Sequence, residues 1–363
     1  MEKEKKIRIV QMLPTLSYGD AIGNYVLALR NILINEGYLT DIFAENIDSR
    51  LSESVAKKID KFNDEKNTVV LFHLSIGSDL NEKVRKYKSR VVIIYHNLTP
   101  FKFWSMYNPK AEQLSIVGAE SVRKMADVPE LCIADSNYNK LDLVKNGYRC
   151  PIEVLPPIIT LNYYGNKADQ TLVNKYSKDG FVNILFTGRI APNKKHEDLI
   201  SVFYFYKNYI NDKSRLFIVG SYNEEDLYYC KLKAYIEKLN LDDVYFTGHV
   251  KFEEILAYYH VADVFLCLSE HEGFCVPLVE AMYFGVPIIA YDCTAVGETL
   301  GYGGLLLQNK RPELVAETVN KVMEDSQLRN ALIHNGKVRL NDFKSEKIKQ
   351  QFLNIIKKYI EQK

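Results

Sequence analysis

Two glutamates separated by seven residues, Glu272 and Glu280, stand in the segment SEHEGFCVPLVEAMYFGVPIIA at positions 269 to 290. The first sits in a glycine-containing loop; the second falls on the helix that follows, where Pro277 suits the first turn. A carboxylate in a run this apolar is costly to bury unless a partner satisfies it. A polyol such as a sugar is a natural partner, because ionised carboxylates accept strong hydrogen bonds. Gly273 and Phe274 would place backbone N–H groups beside the same ligand. The plainer alternative is a helix cap plus a chance acid.

Two other loops offer complementary chemistry. The segment GRIAPNKKHEDLI carries Arg189 and Lys194 after an apolar run and before a helix, whose N-terminus already favours negative charge. Arginine supplies planar bidentate donors and lysine a point charge, a combination suited to a diphosphate; solvated loop cations are the equal alternative. Near the start of the chain, LPTLSYGDAIGN leads into a helix, with Gly19 and Gly23 letting backbone approach a ligand or simply forming a tight turn.

These loops need a scaffold, and the chain supplies one twice. Short β-branched runs over 7–12, 40–43, 68–73, 91–96 and 131–134 alternate with helical patterns such as 22–35, apolar at Ile22, Val26, Leu29 and Leu33. The alternation predicts parallel βαβ units, and the near-continuous apolarity of the strands predicts helices on both faces. The rhythm pauses over 153–165 and the polar run 166–180, which read as a linker, then resumes at 182–187, 216–219, 244–247, 264–268 and 287–290. The expectation is two Rossmann-like, doubly wound α/β domains facing a central cleft, 1–157 and 158–344, and a helix over 345–362, in the tail 345–363, that could cross back to the first. In such sheets ligands bind beyond the carboxyl ends of the strands, where these loops lie.

Composition narrows the partners. The 363 residues are 47% hydrophobic and 26% charged, the profile of a soluble protein of two ordinary domains. With 47 Lys+Arg against 46 Asp+Glu, no global field recruits nucleic acid. The six cysteines form no CxxC pair and no ligand-like spacing with histidine, so no metal is expected. The start, MEKEKKIRIV, has no signal-peptide pattern and no run spans a membrane, which reads as a reduced, cytoplasmic protein.

The sequence resembles glycosyltransferase family 4, with its GT-B fold. Glu272 and Glu280 match the family's E-x7-E signature, and GRIAPNK, FIVG at Phe217–Gly220, FTGHV at Phe246–Val250 and Glu298 in VGETLG follow in the family's order. The first half resembles it more loosely, through the Gly-containing first loop, YHN at Tyr95–Asn97 and ADSNYN at Ala134–Asn139. Lys195 departs from the pattern, since many members have glycine there.

The resemblance implies residue roles. Arg189 and Lys194 would stabilise the donor's diphosphate, and Glu272 would hold hydroxyls of the donor sugar. Backbone N–H groups from Gly273 and Phe274 onward would touch sugar and phosphate, with Gly220 and Glu298 nearby, and Glu280 would accept from the ribose. His249 and Val250 would lie beside the base, Gly19 and Asp20 would close over the diphosphate, and His96 would face the acceptor. No D-x-D occurs, so fixed cations and helix N-termini, with no cofactor or divalent metal, would stabilise the leaving group. The family, more than any spacing, favours front-face attack with retention. The nucleotide sugar, UDP- or GDP-linked, would be a substrate. The rival readings are another GT-B enzyme, such as a sugar-nucleotide epimerase or a phosphorylase, and a non-catalytic sugar-nucleotide-binding protein.

The remaining histidines read more plainly. His73 is structural, His196, His260 and His334 lie at the surface or pack against helices, and His271 could touch the ligand. The loop NLTPFKFWSMYNP carries Phe103 and the single tryptophan, Trp104. Its aromatics either pack into their own domain or stay exposed to bind the acceptor. With the basic run KVRKYKSR over 83–90, the exposed alternative predicts a first domain able to dock on an anionic membrane and meet a lipid-linked acceptor; a soluble glycan or small molecule is the other acceptor class.

Overall fold

A computed structural model describes residues 7–52 and 54–361; the charged opening MEKEKK, Glu53, Gln362 and Lys363 lie outside them. Thirteen strands occur among the described residues: β1 Arg8–Leu16, β2 Ile42–Ile47, β3 Lys57–Lys58, β4 Thr68–Leu74, β5 Arg90–Tyr95, β6 Leu131–Ala134, β7 Ile152–Val154, β8 Val182–Thr187, β9 Ser214–Val219, β10 Val244–Phe246, β11 Val264–Cys267, β12 Ile288–Tyr291 and β13 Leu305–Leu307. They form a seven-stranded sheet ordered β3-β2-β1-β4-β5-β6-β7 and a six-stranded sheet ordered β10-β9-β8-β11-β12-β13. Every pairing between these strands is parallel.

The chain folds as two compact units. One holds the described residues through Lys102, then Lys110–Thr160 and the chain from Phe343; the other holds Phe103–Pro109 and Leu161–Asp342. In the first, the two-residue period of the strands sorts side chains between two cores. Ile9, Val69, Leu71, Val92 and Ile94 enter one cluster, whereas Val10, Val70, Phe72, Val91, Ile93 and Tyr95 enter the other. Coverage of both faces is why these strands are apolar almost throughout.

The last helix, Ser345–Ile356, joins the first of these cores through Ile348, Phe352, Leu353, Ile355 and Ile356, spaced as one helical face. Ser345 Oγ donates to the Ile159 carbonyl at 2.6 Å, and Arg90 donates to the carbonyls of Tyr359 and Ile360 at 3.0 Å each. None of the described helices is long and apolar enough to cross a membrane.

The segment read as a linker is structured. It contributes β7, a 3-10 turn over Leu161–Gly165 and the helix Gln170–Tyr176. Asp169 caps that helix, its side chain accepting from Leu172 N at 3.0 Å. The prolines and polar residues of this stretch masked short elements held by tertiary contacts. The expected strand 40–43 lies later, at β2 Ile42–Ile47, and β13 was not foreseen because three leucines carry no period.

Candidate functional site

In the second sheet the chain runs outward from β8 through β9 to β10, then returns to add β11 beside β8. The loops after β8 and β11 therefore diverge at a topological switch point, the crevice where open parallel sheets bind ligands. Lys194 stands in the first loop and Glu272 in the second. Lys194 Nζ donates to both oxygens of Glu272 at 2.6 Å. Burial, the largest single effect, disfavours the ammonium, but the Glu272 charge and hydrogen bond together with the neighbouring Cys275 and Cys267 outweigh it and raise the lysine pKa above its ordinary value.

The two loops are tied together by backbone. Asn193 Nδ2 donates to the His271 carbonyl at 3.0 Å, and Glu270 N donates to the Asn193 carbonyl at 2.8 Å. Thr294, in the loop after β12, accepts from Glu272 N and donates to the Glu272 carbonyl, both at 2.9 Å. Glu272 is thus fixed at its backbone by one neighbour and at its carboxylate by another. Neither Asn193 nor Thr294 was singled out from sequence; each is an ordinary polar residue whose partner lies far along the chain.

Lys195, the departure from the expected pattern, adopts the left-handed conformation, φ 56 and ψ 49, that glycine favours. The turn keeps its glycine-like shape, with the Lys195 ammonium 3.5 Å from Glu197 and 3.7 Å from Glu270. Gly220, at the end of β9, has a different reason to be glycine. A Cβ there would meet the Gly188 carbonyl oxygen at 2.1 Å, so the backbone after β9 lies against the turn that leads to Arg189. Arg189 itself is exposed, its guanidinium carbon 5.9 Å from the Trp104 ring centroid.

Glu280, on the helix Val276–Phe284, receives two phenols: Tyr164 O–H donates to Oε1 and Tyr259 O–H to Oε2, each at 2.6 Å. Burial raises the Glu280 pKa, and the phenols offset part of that rise. Each carboxylate oxygen keeps a second lone pair for a further hydroxyl. Tyr164 comes from the segment read as a linker, which hid it.

The other expected residues of this unit fall on nearby loops. Gly273 and Phe274 lead into the helix Val276–Phe284, and the Phe274 carbonyl accepts from Thr299 Oγ1 at 2.5 Å. Glu298 lies on the helix Val296–Leu300, its carbonyl accepting from Arg339 at 2.7 Å. His249, exposed, and Val250, half-buried, follow β10. His271 is buried, its ring 6.3 Å from that of Phe103.

The aromatic loop differs from expectation. Phe103–Pro109, placed by sequence in the first domain, groups with the second unit. Tyr107 packs edge-on to Tyr228 at 5.1 Å and accepts from Lys231 at 2.7 Å, while Trp104 lies against Arg189. The basic run over 83–90 is largely paired: Arg85 with Glu82 at 2.6 Å, Arg90 with Glu130 at 2.7 Å, Lys83 with Glu45 at 3.9 Å. His196, expected at a surface or against a helix, is fully buried, edge-on to Phe186.

In the first unit, Asp20 caps the helix Ala21–Asn35 by accepting from Gly23 N at 2.5 Å, and Gly19 holds a φ of +76° in the open turn before it. His96 follows β5 and heads a chain of buried bonds. Gln11 Nε2 donates to the Val26 carbonyl at 2.9 Å, so its Oε1 accepts from His73 Nε2 at 3.0 Å. Burial, then the neighbouring His96, holds the His73 pKa well below its ordinary value, leaving Nδ1 as an acceptor for His96 Nε2 at 2.9 Å. His96 Nδ1 faces Asp135 Oδ2 at 2.7 Å, and one proton lies between them. Both nitrogens of His96 are therefore engaged inside this unit. Sequence reasoning had His73 as structural and missed Gln11 and Asp135 because three separate strands, β1, β4 and β6, bring them together.

Residues 170–339 match the family model of glycosyl transferases group 1. An uncharacterized glycosyltransferase of Methanocaldococcus jannaschii is 26% identical over 52% of this chain and 56% of its own. A capsular polysaccharide biosynthesis glycosyltransferase of Staphylococcus aureus is 27% identical over 53% of this chain and 50% of its own. The chain spans about half the length of the curated relatives it matches. Among solved structures, HepE of Anabaena in complex with UDP-glucose superposes with a TM-score of 0.72 at 18% identity, over 96% of this chain and 99% of that one. The fold is GT-B.

Proposed function

We propose that the chain is a retaining glycosyltransferase that moves a hexosyl group from a UDP- or GDP-sugar to a glycan, lipid-linked or small-molecule acceptor, without a divalent metal. The observation that carries this reading is the Lys194–Glu272 pair at the switch point of a sheet within the matched group 1 segment. An incoming diphosphate competes with Glu272 for the ammonium. Each phosphate–lysine contact made releases carboxylate lone pairs to accept from the hydroxyls of the donor sugar. Arg189, exposed at the other end of the same turn, adds planar donors to the diphosphate. As the bond from the anomeric carbon to the diphosphate breaks, negative charge grows on phosphate oxygens that these two cations already face.

The rest of the donor falls to the neighbouring loops. The backbone N–H groups of Gly273 and Phe274 serve the sugar and phosphate, Glu280 accepts from the ribose beside its two phenols, and His249 and Val250 flank the base. Gly220 and Glu298 border the same pocket of chemistry. For retention the nearby acids are instructive: Glu270 is bound to Lys310 at 2.6 Å, and Glu272, once released by Lys194, is engaged by the hydroxyls of the donor sugar, so neither serves as a free nucleophile. Attack from the leaving-group face, with the diphosphate taking the acceptor's proton, fits that arrangement.

The test is a panel of UDP- and GDP-hexoses incubated in EDTA with glycan and lipid-linked acceptors, following nucleoside diphosphate release and the product sugar. Transfer with a retained anomeric centre is expected. Recovery of an epimerised sugar nucleotide, with no acceptor modified, would replace this reading.

A further inference from the structure

Beside the Glu272 carboxylate, two thiols meet. Cys267 ends β11 and Cys275 stands eight residues later, at the entrance of the helix Val276–Phe284. Their Sγ atoms are 4.0 Å apart, and one ligand atom from each of Cys267, Cys275 and Glu272 lies within 4.8 Å of the others. All three residues are buried, at 0%, 6% and 7% exposure. Two thiolates bound to one tetrahedral zinc ion, with Zn–S near 2.3 Å, stand about 3.8 Å apart. The sulfurs are therefore close to a bound geometry before any ion arrives.

The charge balance also closes. Two thiolates, one carboxylate and the Lys194 ammonium sum to two negative charges, which a divalent ion neutralises without removing Lys194 from the other Glu272 oxygen. Both thiol protons leave to solvent as the ion enters, as metal binding to cysteine requires. Soft sulfur donors select zinc and cadmium over magnesium or manganese. Three protein ligands leave a fourth position open, the pattern of an exchangeable site and not of a closed structural one.

We propose that Cys267, Cys275 and Glu272 form a binding site for a soft divalent ion of the zinc and cadmium type, and that its occupancy takes Glu272 out of sugar binding. The ion is an inhibitor of the donor site. Binding rests on no reading of the reaction; only the inhibition rests on Glu272 serving the donor.

The experiment uses the full chain, reduced with a phosphine and stripped of metal, titrated with Cd²⁺ while the ultraviolet thiolate-to-metal charge-transfer band is followed. One equivalent should saturate the band. Cys267→Ser and Cys275→Ser should each weaken binding by roughly 100-fold or more, at or above the loss typical of outer-shell changes. The other close thiol pair, Cys132 and Cys150, has Sγ atoms 3.6 Å apart, so Cys132→Ser/Cys150→Ser is the control and should keep the band. No band in wild type, or a band lost only in that control, overturns the site. In a transfer assay the ratio of rates with and without Zn²⁺ should fall below one for wild type, recover on EDTA addition and stay near one for Cys267→Ser. An unchanged wild-type ratio beside an intact Cd²⁺ band overturns the inhibition and keeps the site.

Discussion

Lys194 Nζ lies 2.6 Å from both carboxylate oxygens of Glu272, across a separation of 78 residues. The pair joins the loops after β8 and β11, and Thr294 holds the Glu272 backbone from a third loop. A side chain so fixed is suited to present two acceptor atoms in one place. Removing Lys194 leaves the Glu272 charge buried without its cation, and removing Glu272 leaves the half-buried Lys194 ammonium without its anion.

Glu272→Ala and Lys194→Ala are each expected to lower turnover by roughly 100-fold or more, the scale of losing one group that stabilises developing charge. Far-ultraviolet circular dichroism should match wild type in both, since the loops remain tied through Asn193 and Thr294. Near-wild-type turnover in Glu272→Ala would remove the carboxylate from the reaction.

Gly220→Ala probes the scaffold under Arg189. The new methyl would sit 2.1 Å from the Gly188 carbonyl oxygen, and that neighbour is backbone, so the strand end or the turn must shift. A loss of about 1–3 kcal/mol is expected from such overpacking. Urea denaturation measures it, and turnover should fall as well because the displaced turn carries Arg189. A variant as stable and active as wild type would mean the turn yields freely.

Much of this was legible in the chain. The strands β6 and β8 carry the boundaries expected from their β-branched runs, and Glu272, Lys194 and Arg189 announced themselves as charged residues at strand ends. What stayed hidden were residues whose partners are distant. Tyr164 reaches Glu280 across 116 positions, and Gln11 reaches His73 across 62. Cys267 and Cys275 show only their spacing in sequence; the turn between a strand end and a helix start folds that spacing into a thiol pair. Periodicity reports which face a residue takes, not which neighbour waits there.

Added EDTA is expected to leave the transfer rate unchanged or to raise it by removing adventitious soft metal, because in the proposed reaction Arg189 and Lys194 meet the leaving-group charge. NMR of the product should show the donor's anomeric configuration. Loss of activity in EDTA restored by Mn²⁺ or Mg²⁺ would contradict the metal-free reading, and an inverted linkage would contradict front-face attack.

His196 supplies a test of folding alone. Its ring is fully buried against Phe186 and Tyr228 at the start of the helix His196–Tyr209, and neither ring nitrogen makes a hydrogen bond of good geometry. Burial first, then the Lys194 charge, lowers its pKa from 6.5 to about 3. A helix N-terminus opposes a cation there too. Between those two values the unfolded chain holds a proton on this histidine that the folded chain refuses. The stability it contributes is complete above pH 6.5 and is lost as pH falls toward about 3, at a slope of up to about 1.4 kcal/mol per pH unit. His196→Leu removes the titrating group while keeping an apolar side chain of similar bulk. Urea denaturation of both proteins at pH 7, 6, 5 and 4 should show wild type losing stability relative to the variant by about that slope below pH 6.5. Parallel stability curves would mean that His196 is protonated in the folded protein, and that an unseen partner pays for its charge.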